Sequence, residues 1–170
     1  MDTRDLTGGE GGELVQMISF AVGAEEYGID IQTVKEVIKI QEITQLPKAP
    51  SFVKGVINLR GDVIPIIDLR EKFGLEQKEH TDLTRVIVVD VGTKSIGMVV
   101  DSVSHVIRIA QSEIEPPPPL IGGLSGEYIR GVGKMGEKLI ILVNIDKILT
   151  ADEKIELEKM EETKETAPVT

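Results

Sequence analysis

Hydrophobic and polar residues alternate in short runs along most of the chain, separated by glycine, proline and small polar residues. Runs of this length and period predict β-strands rather than amphipathic helices. Strand patterns fall at Val15–Val22, Tyr27–Ile31 and Lys35–Ile40, with a turn near Gly23–Glu26. Pro47 and Pro50 bracket a connection, and Ser51 is expected to cap a short helical turn through Lys54. Gly55–Arg60 and Val63–Asp68 flank a Gly61–Asp62 turn, and Leu69–Phe73 reads as one helical turn ended by Gly74. Glu76–Asp82 is a polar linker, after which strands are expected at Arg85–Val91, Lys94–Val100 and Ser104–Ile109. Pro116–Pro119 and the stretch Gly122–Gly126 make a long loop before Tyr128–Gly133 and Lys138–Asn144. Asp146–Leu149 leads into a helix with a charged outer face that fades into a polar tail near Thr163.

The pattern repeats. Moving residues 22–47 forward by 69 places Val22-Gly23 on Val91-Gly92, Gly28 on Gly97, and Pro47 on Pro116. A shift of 76 then places Phe52-Val-Lys-Gly-Val56 on Tyr128-Ile-Arg-Gly-Val132. Matches among valines and isoleucines come easily, whereas matched glycines and prolines do not. Two halves of about five short strands each are implied, intertwined or adjacent and spanning roughly residues 14–80 and 81–151, and self-similarity of this kind sets an architecture. Small closed barrels fit such units, and two barrels of ~60 residues would share a buried seam because each alone has a marginal core. The fold class expected is mainly β: two five-stranded barrel subdomains on a shared hydrophobic seam, with short helices and a C-terminal helix.

The hairpin near Gly61 sharpens this. A type II′ turn at Gly61–Asp62 would pair Arg60 with Val63 and Ile57 with Ile66. Ile57, Leu59, Ile64 and Ile66 then share a wholly aliphatic face that lines the first barrel. The opposite face carries Val56, Asn58, Arg60, Val63, Pro65 and Ile67, too apolar for water and too polar for a core, and is expected near the seam. Arg60 aligns with Gly136 in the second half. Two uses of Arg60 stay open: a tie to a carboxylate across the seam, or contact with a partner.

Composition narrows the function. Isoleucine and valine number 40, against three Phe, two Tyr and no Trp, which gives an aliphatic β core. The net charge is −10, but residues 14–151 carry only −3 and the two ends hold the remainder. With no basic stripe, nucleic-acid binding is not expected. No apolar run approaches the ~20 residues of a membrane span, and no charged leader with an apolar core opens the chain, so a soluble cytoplasmic protein without membrane insertion is expected. Residues 1–13 and the end of the segment 152–170 are expected to be solvated tails, dispensable for the fold.

Reactive chemistry is sparse. There is no cysteine, and the only histidines are His80, in the polar linker, and His105, which alternates with apolar residues and aligns with Glu36. Both are expected on the surface. Gly122-Gly-Leu-Ser-Gly126 lacks the Lys–Ser/Thr of a phosphate loop, and the Glu25–Glu26 pair is expected to be solvated at its turn. No cofactor or metal is expected, and a small β-barrel enzyme or ligand-binding protein is the alternative to an adaptor.

Several segments together resemble the chemotaxis coupling (adaptor) protein CheW family. They are Glu26-Tyr-Gly-Ile-Asp30, Lys54-Gly-Val-Ile-Asn-Leu-Arg-Gly61, Ile64-Pro-Ile-Ile-Asp-Leu69, Gly97-Met-Val-Val-Asp-Ser-Val103 and Leu139-Ile-Ile-Leu-Val-Asn-Ile145. The resemblance covers roughly residues 14–150. It implies two SH3-like barrels and a non-enzymatic adaptor between chemoreceptors and the regulatory domain of the chemotaxis histidine kinase. Such an adaptor is cytoplasmic and is recruited to membrane-associated receptor arrays. By that resemblance, a helical receptor tip docks in a groove involving Val34, Glu36, Asn58, Arg60, Val86 and Gly97. The kinase contact uses barrel ends, with the loop around Glu115, Pro119 and Leu120 as a candidate.

Overall fold

The computed structural model describes residues 13–116 and 128–166, with side chains to Lys159. Its strands are β1 (Leu14–Val22), β2 (Glu25–Asp30), β3 (Val34–Lys39), β4 (Gly55–Leu59), β5 (Asp62–Asp68), β6 (Arg85–Val91), β7 (Lys94–Val100), β8 (Ser102–Ala110), β9 (Ile114–Glu115), β10 (Ile129–Met135) and β11 (Lys138–Val143). Helix α1 (Leu69–Lys72) follows β5, and α2 (Ala151–Thr166) ends the described chain. Short 3₁₀ turns sit at Ile31–Thr33, Gln111–Glu113 and Ile145–Lys147. The mainly β expectation holds, and the strand positions agree closely with the alternation that predicted them. At Ser51 the expected helical turn is instead a reverse turn, with the Val53 N–H donating to the Pro50 carbonyl at 3.0 Å.

The strands form two sheets, ordered β8-β1-β2-β11-β10-β9 and β3-β6-β7-β5-β4. Exchanging each strand for its counterpart, β1 with β6, β2 with β7, β3 with β8, β4 with β10 and β5 with β11, turns the second order into the first five strands of the other. The repeat is therefore real, but each half contributes its first hairpin to the other half's sheet. The β1–β2 hairpin pairs with β8 and β11, and the β6–β7 hairpin pairs with β3 and β5. A boundary near residue 80 does not separate the sheets: of the two arrangements left open, intertwined or adjacent halves, the strands take the intertwined one. The parallel junctions match residue for residue: Ile66 lies opposite Gly97, and its counterpart Leu142 lies opposite Gly28.

Neither sheet closes into a barrel by strand pairing. In each, the chain leaving one edge strand crosses to the other edge. After β8 it forms β9 on β10, and after β3 it reaches a single bridge between Thr44 and Val56 on β4.

Three apolar clusters result. Ile57, Leu59, Ile64 and Ile66 lie with Val86, Val88 and Val99 inside the five-stranded sheet, as the hairpin's aliphatic face implies. Met17, Ile107, Ile109, Ile140 and Leu142 fill the six-stranded sheet. The largest cluster lies between the sheets and draws on strands of both halves, from Phe20 and Ile29 to Ile67, Met98 and Val143. All five aromatic residues of the chain join it. Phe20, Tyr27, Phe73 and Tyr128 form a row with successive ring centroids 5.7, 4.9 and 6.2 Å apart. Burial there pushes the Tyr27 hydroxyl up to about 12, with the Glu25 charge adding to the effect.

Polar devices repeat with the strands. Asp68 accepts from the Arg70 N–H at 2.9 Å and starts α1, and its counterpart Asn144 accepts from the Asp146 N–H at 3.0 Å. Helix α2 begins with a capping box: the Glu153 N–H donates to Thr150 Oγ1 at 3.1 Å, and the Thr150 N–H donates to Glu153 Oε1 at 3.0 Å. The same carboxylate accepts from Lys72 on α1 at 2.5 Å, and Leu157 enters the shared core, so the first turns of α2 are docked.

The two junction glycines give a graded test. A Cβ on Gly97 would lie 2.7 Å from Ile66 Cδ1 and 2.8 Å from Val86 Cγ1. On Gly28 the nearest atom would be Leu142 Cδ2 at 3.2 Å. Gly97→Ala should lower the unfolding free energy by about 1–3 kcal/mol, the usual cost of overpacking, and Gly28→Ala by less. Urea melts of the two variants measure the order; equal costs, or the reverse order, would show that these contacts relax freely.

Candidate functional site

The β4–β5 hairpin is built on a tighter turn than the sequence suggested. Leu59 pairs with Asp62, Asn58 with Val63 and Ile57 with Ile64, so the two turn residues are Arg60 and Gly61. Their φ angles are 53° and 94°, both positive, as a type I′ turn requires. The type II′ turn at Gly61–Asp62 is thereby corrected. The change moves every pairing by two residues, and since side chains alternate with period two, both faces keep the residues assigned to them. The Asn58 side chain holds the turn by accepting from the Gly61 N–H at 2.9 Å.

The turn projects Arg60 toward β3. Its Nη2 donates to the Glu36 carboxylate, with the arginine side chain 70% exposed and the glutamate 31%. Strands β3 and β4 are the two edges of their sheet. The ion pair therefore spans the mouth of the curled sheet, above the cluster of Leu59, Ile64 and Val88 and the half-buried Ile38. Arg60 is not buried in the seam, so a tie to a carboxylate across the seam is not what it makes. An irregularity between Val34 and Glu36 changes the face that β3 presents. Val34 packs against the core between the sheets, whereas Ile38 packs against the interior cluster.

The structure thus brings together Glu36, Asn58 and Arg60, with Val34 half-buried two residues along β3. Val86 and Gly97 stand elsewhere. Val86 is 0% exposed, Gly97 is buried against it, and both belong to the sheet interior. They shape the wall beneath the site and offer no surface, which corrects their place in the expected groove. Among the kinase-contact candidates, Glu115 lies exposed on β9 with its carboxylate 3.8 Å from Lys134 Nζ. Pro119 and Leu120 lie outside the described residues.

The matching mouth of the six-stranded sheet is a different polar cluster, missed by reading Glu26 as solvated. Ser19, 0% exposed, donates to the Glu26 carboxylate, and Lys138 Nζ donates to it at 3.2 Å. The Glu26 side chain is only 18% exposed. The Ser19 hydroxyl, then the hydrogen bond and charge of Lys138, with His105 contributing least, hold the carboxyl below its usual range against the opposing effect of burial. The offset repeat carried the signal, since it maps Glu36 onto His105 and Asp62 onto Lys138. His105 itself is exposed, as expected. Among the described residues, no group of three His, Asp or Glu side chains is arranged to hold a metal ion.

An arginine, a carboxylate and half-buried aliphatic side chains thus meet along one edge of the five-stranded sheet. Residues 16–153 match the family model of the CheW-like domain. The chain is 42% identical over 138 residues to the chemotaxis protein CheW of Klebsiella aerogenes, covering 81% of this chain and 83% of that one. It is 37% identical over 145 residues to the chemotaxis protein CheW of Treponema pallidum, covering 83% and 85%. The crystal structure of the scaffolding protein TtCheW from Thermoanaerobacter tengcongensis matches with a TM-score of 0.76 at 35% identity, over 83% of this chain and 96% of that one. The protein is thus a non-enzymatic scaffold of chemotaxis, and it belongs to the CheW-like family.

The Glu26 cluster predicts an acid limb of stability. A carboxyl whose pKa is depressed on folding stabilises the fold above its unfolded pKa, and that contribution is lost as pH falls through the lower, folded value. Urea melts of wild type and Glu26→Gln across the acid range should differ most near neutrality and converge as the carboxyl protonates. A difference that stays constant with pH would contradict the assignment.

Proposed function

We propose that the protein couples chemoreceptors to the chemotaxis histidine kinase, with Glu36, Asn58 and Arg60, beside Val34, taking the receptor's helical tip, and the kinase's regulatory domain binding elsewhere at the ends of the sheets, Glu115 among its contacts. One observation carries the receptor half. Arg60 holds a left-handed backbone conformation, and its counterpart in the other half is Gly136 at φ 66°. A side chain in that conformation costs roughly 1–2 kcal/mol that glycine avoids. The exposed pair with Glu36 returns about 1 kcal/mol at most. Stability alone therefore favours glycine at position 60, and the guanidinium is accounted for by something outside the chain.

A receptor tip is a helical hairpin, and such helices seat apolar anchors in grooves flanked by charge. Val34 and Ile38 supply half-buried apolar surface, and the Arg60–Glu36 pair supplies the charge. The family supports the kinase half of the reading. Recruitment to receptor arrays from the cytoplasm fits a chain in which, among the described residues, no helix is long and apolar enough to cross a membrane.

Arg60→Gly separates the two uses of the arginine. The variant should unfold within about 1 kcal/mol of wild type, because relief of backbone strain offsets the lost ion pair. Its affinity for a purified receptor-tip hairpin, measured by titration calorimetry, should fall roughly 30-fold, the ~2 kcal/mol of an interface anchor. Unchanged affinity per folded molecule would refute the receptor role of Arg60.

A further inference from the structure

From Val37 to Lys39, β3 pairs one residue to one with Ile87 to Arg85 of β6, and Val34 lies opposite Val89. Lys35 and Glu36 therefore stand against the single residue Val88, which makes a β-bulge. The other half repeats it: between the pairs Ile18–Val106 and Phe20–Val103, Ser104 and His105 stand against Ser19. The bulge lets Val34 meet the core between the sheets while Ile38 meets the interior of its own sheet.

Of the two residues in the bulge, one faces the mouth from the place opposite Val88. Here it is Glu36, and Arg60 pairs with it there. A slip of the bulge by one residue would leave Val34 and Val37 in place and put Lys35 where Glu36 stands. Arg60 would then face an ammonium group. The apolar contacts of β3 are the same in both registers, so they do not choose between them.

The Lys35 side chain does. It crosses the end of β6 to the β6–β7 hairpin, where its Nζ donates to Ser95 Oγ at 3.2 Å and lies 3.9 Å from Asp90 Oδ1. Ser95 Oγ in turn donates to Asp90 Oδ1 at 2.9 Å, and the two residues are direct partners in the β6–β7 ladder. At the offset of 69, Lys35, Asp90 and Ser95 correspond to Ser104, Ala21 and Glu26, so this set of groups belongs to the half that carries Arg60.

We propose that Lys35 is a positioning residue of the receptor site: anchored by Ser95 and Asp90, it fixes the register of the bulge and so holds Glu36 toward Arg60. This rests on the receptor reading of Arg60. Charge pairs as exposed as this one add little to stability, so its loss acts on the register and not on the fold.

Asp90→Lys, made in the full chain, sets a like charge against Lys35. Cross-strand NOE contacts between Glu36 and Val88 should weaken in the free variant, and contacts between Lys35 and Val88 should grow. Affinity for a purified receptor-tip hairpin should fall roughly tenfold, because only the fraction of molecules in the binding register takes it. The urea midpoint should stay near that of wild type. Lys35→Ala should act in the same direction, whereas Asp90→Glu and Lys35→Arg should bind as wild type does. Glu36–Val88 contacts that persist in Asp90→Lys would overturn the proposal, whatever the affinity does. So would full affinity per folded molecule in Asp90→Lys when Arg60→Gly, titrated beside it, has lost its own. If Arg60→Gly also binds as wild type does, the receptor reading fails, and the NOE contacts still decide the register.

Discussion

Two hairpins exchanged between the halves hold this molecule together. The β1–β2 hairpin completes the sheet built from β8, β10 and β11, and the β6–β7 hairpin completes the one built from β3, β4 and β5. Because each hairpin turns one face toward its adopted sheet's interior and the other toward the cluster between the sheets, neither sheet can form without strands from both halves. The interior clusters are small and purely aliphatic apart from Met17, while the shared cluster is larger and holds every aromatic residue. Apolar burial scales with area, so the seam supplies more of the stability than either sheet interior. A unit of ~60 residues would have a marginal core, and sharing one core between two such units answers that limit.

Exchange makes the scaffold symmetric, and the function proposed here lies in the departures from symmetry. Both sheets curl, leave two edges and present a mouth between them. In one, Arg60 and Glu36 span the mouth on an exposed turn. In the other, Gly136 takes the turn position, and Glu26 is drawn in by Ser19 and Lys138. The second arrangement spends its charges on the fold and uses glycine where the backbone asks for it. The first keeps a side chain in a conformation that glycine would fill better, and holds its charged groups where a partner can reach them.

Much of this was legible in the sequence for a physical reason: strands alternate with period two, and turn glycines and prolines mark where they stop. β6 and β7 were placed at their observed ends from that pattern alone. The aliphatic face of the β4–β5 hairpin was also correct, although the turn stood one residue late, because a shift of two in pairing leaves the faces intact. The exchange itself stayed undecided, with intertwined and adjacent halves both open. An offset match tells which strands are equivalent and not which copy each one pairs with. Val86 and Gly97 were placed in the groove by resemblance, but burial decides exposure, and strand pattern alone does not say which face of a curled sheet lies inside. Glu26 was read as solvated because the hydroxyl that draws it inward, Ser19, lies across a strand pair seven residues away.

Native-state hydrogen exchange in low urea tests the seam most directly. If exchanged hairpins make the two sheets one cooperative unit, the amides of Tyr27 and Leu142 in one sheet and Ile67 and Met98 in the other should share one opening free energy. That free energy should fall with urea at the slope of global unfolding. A set of amides in one sheet that opens together while the other sheet stays protected would contradict the account.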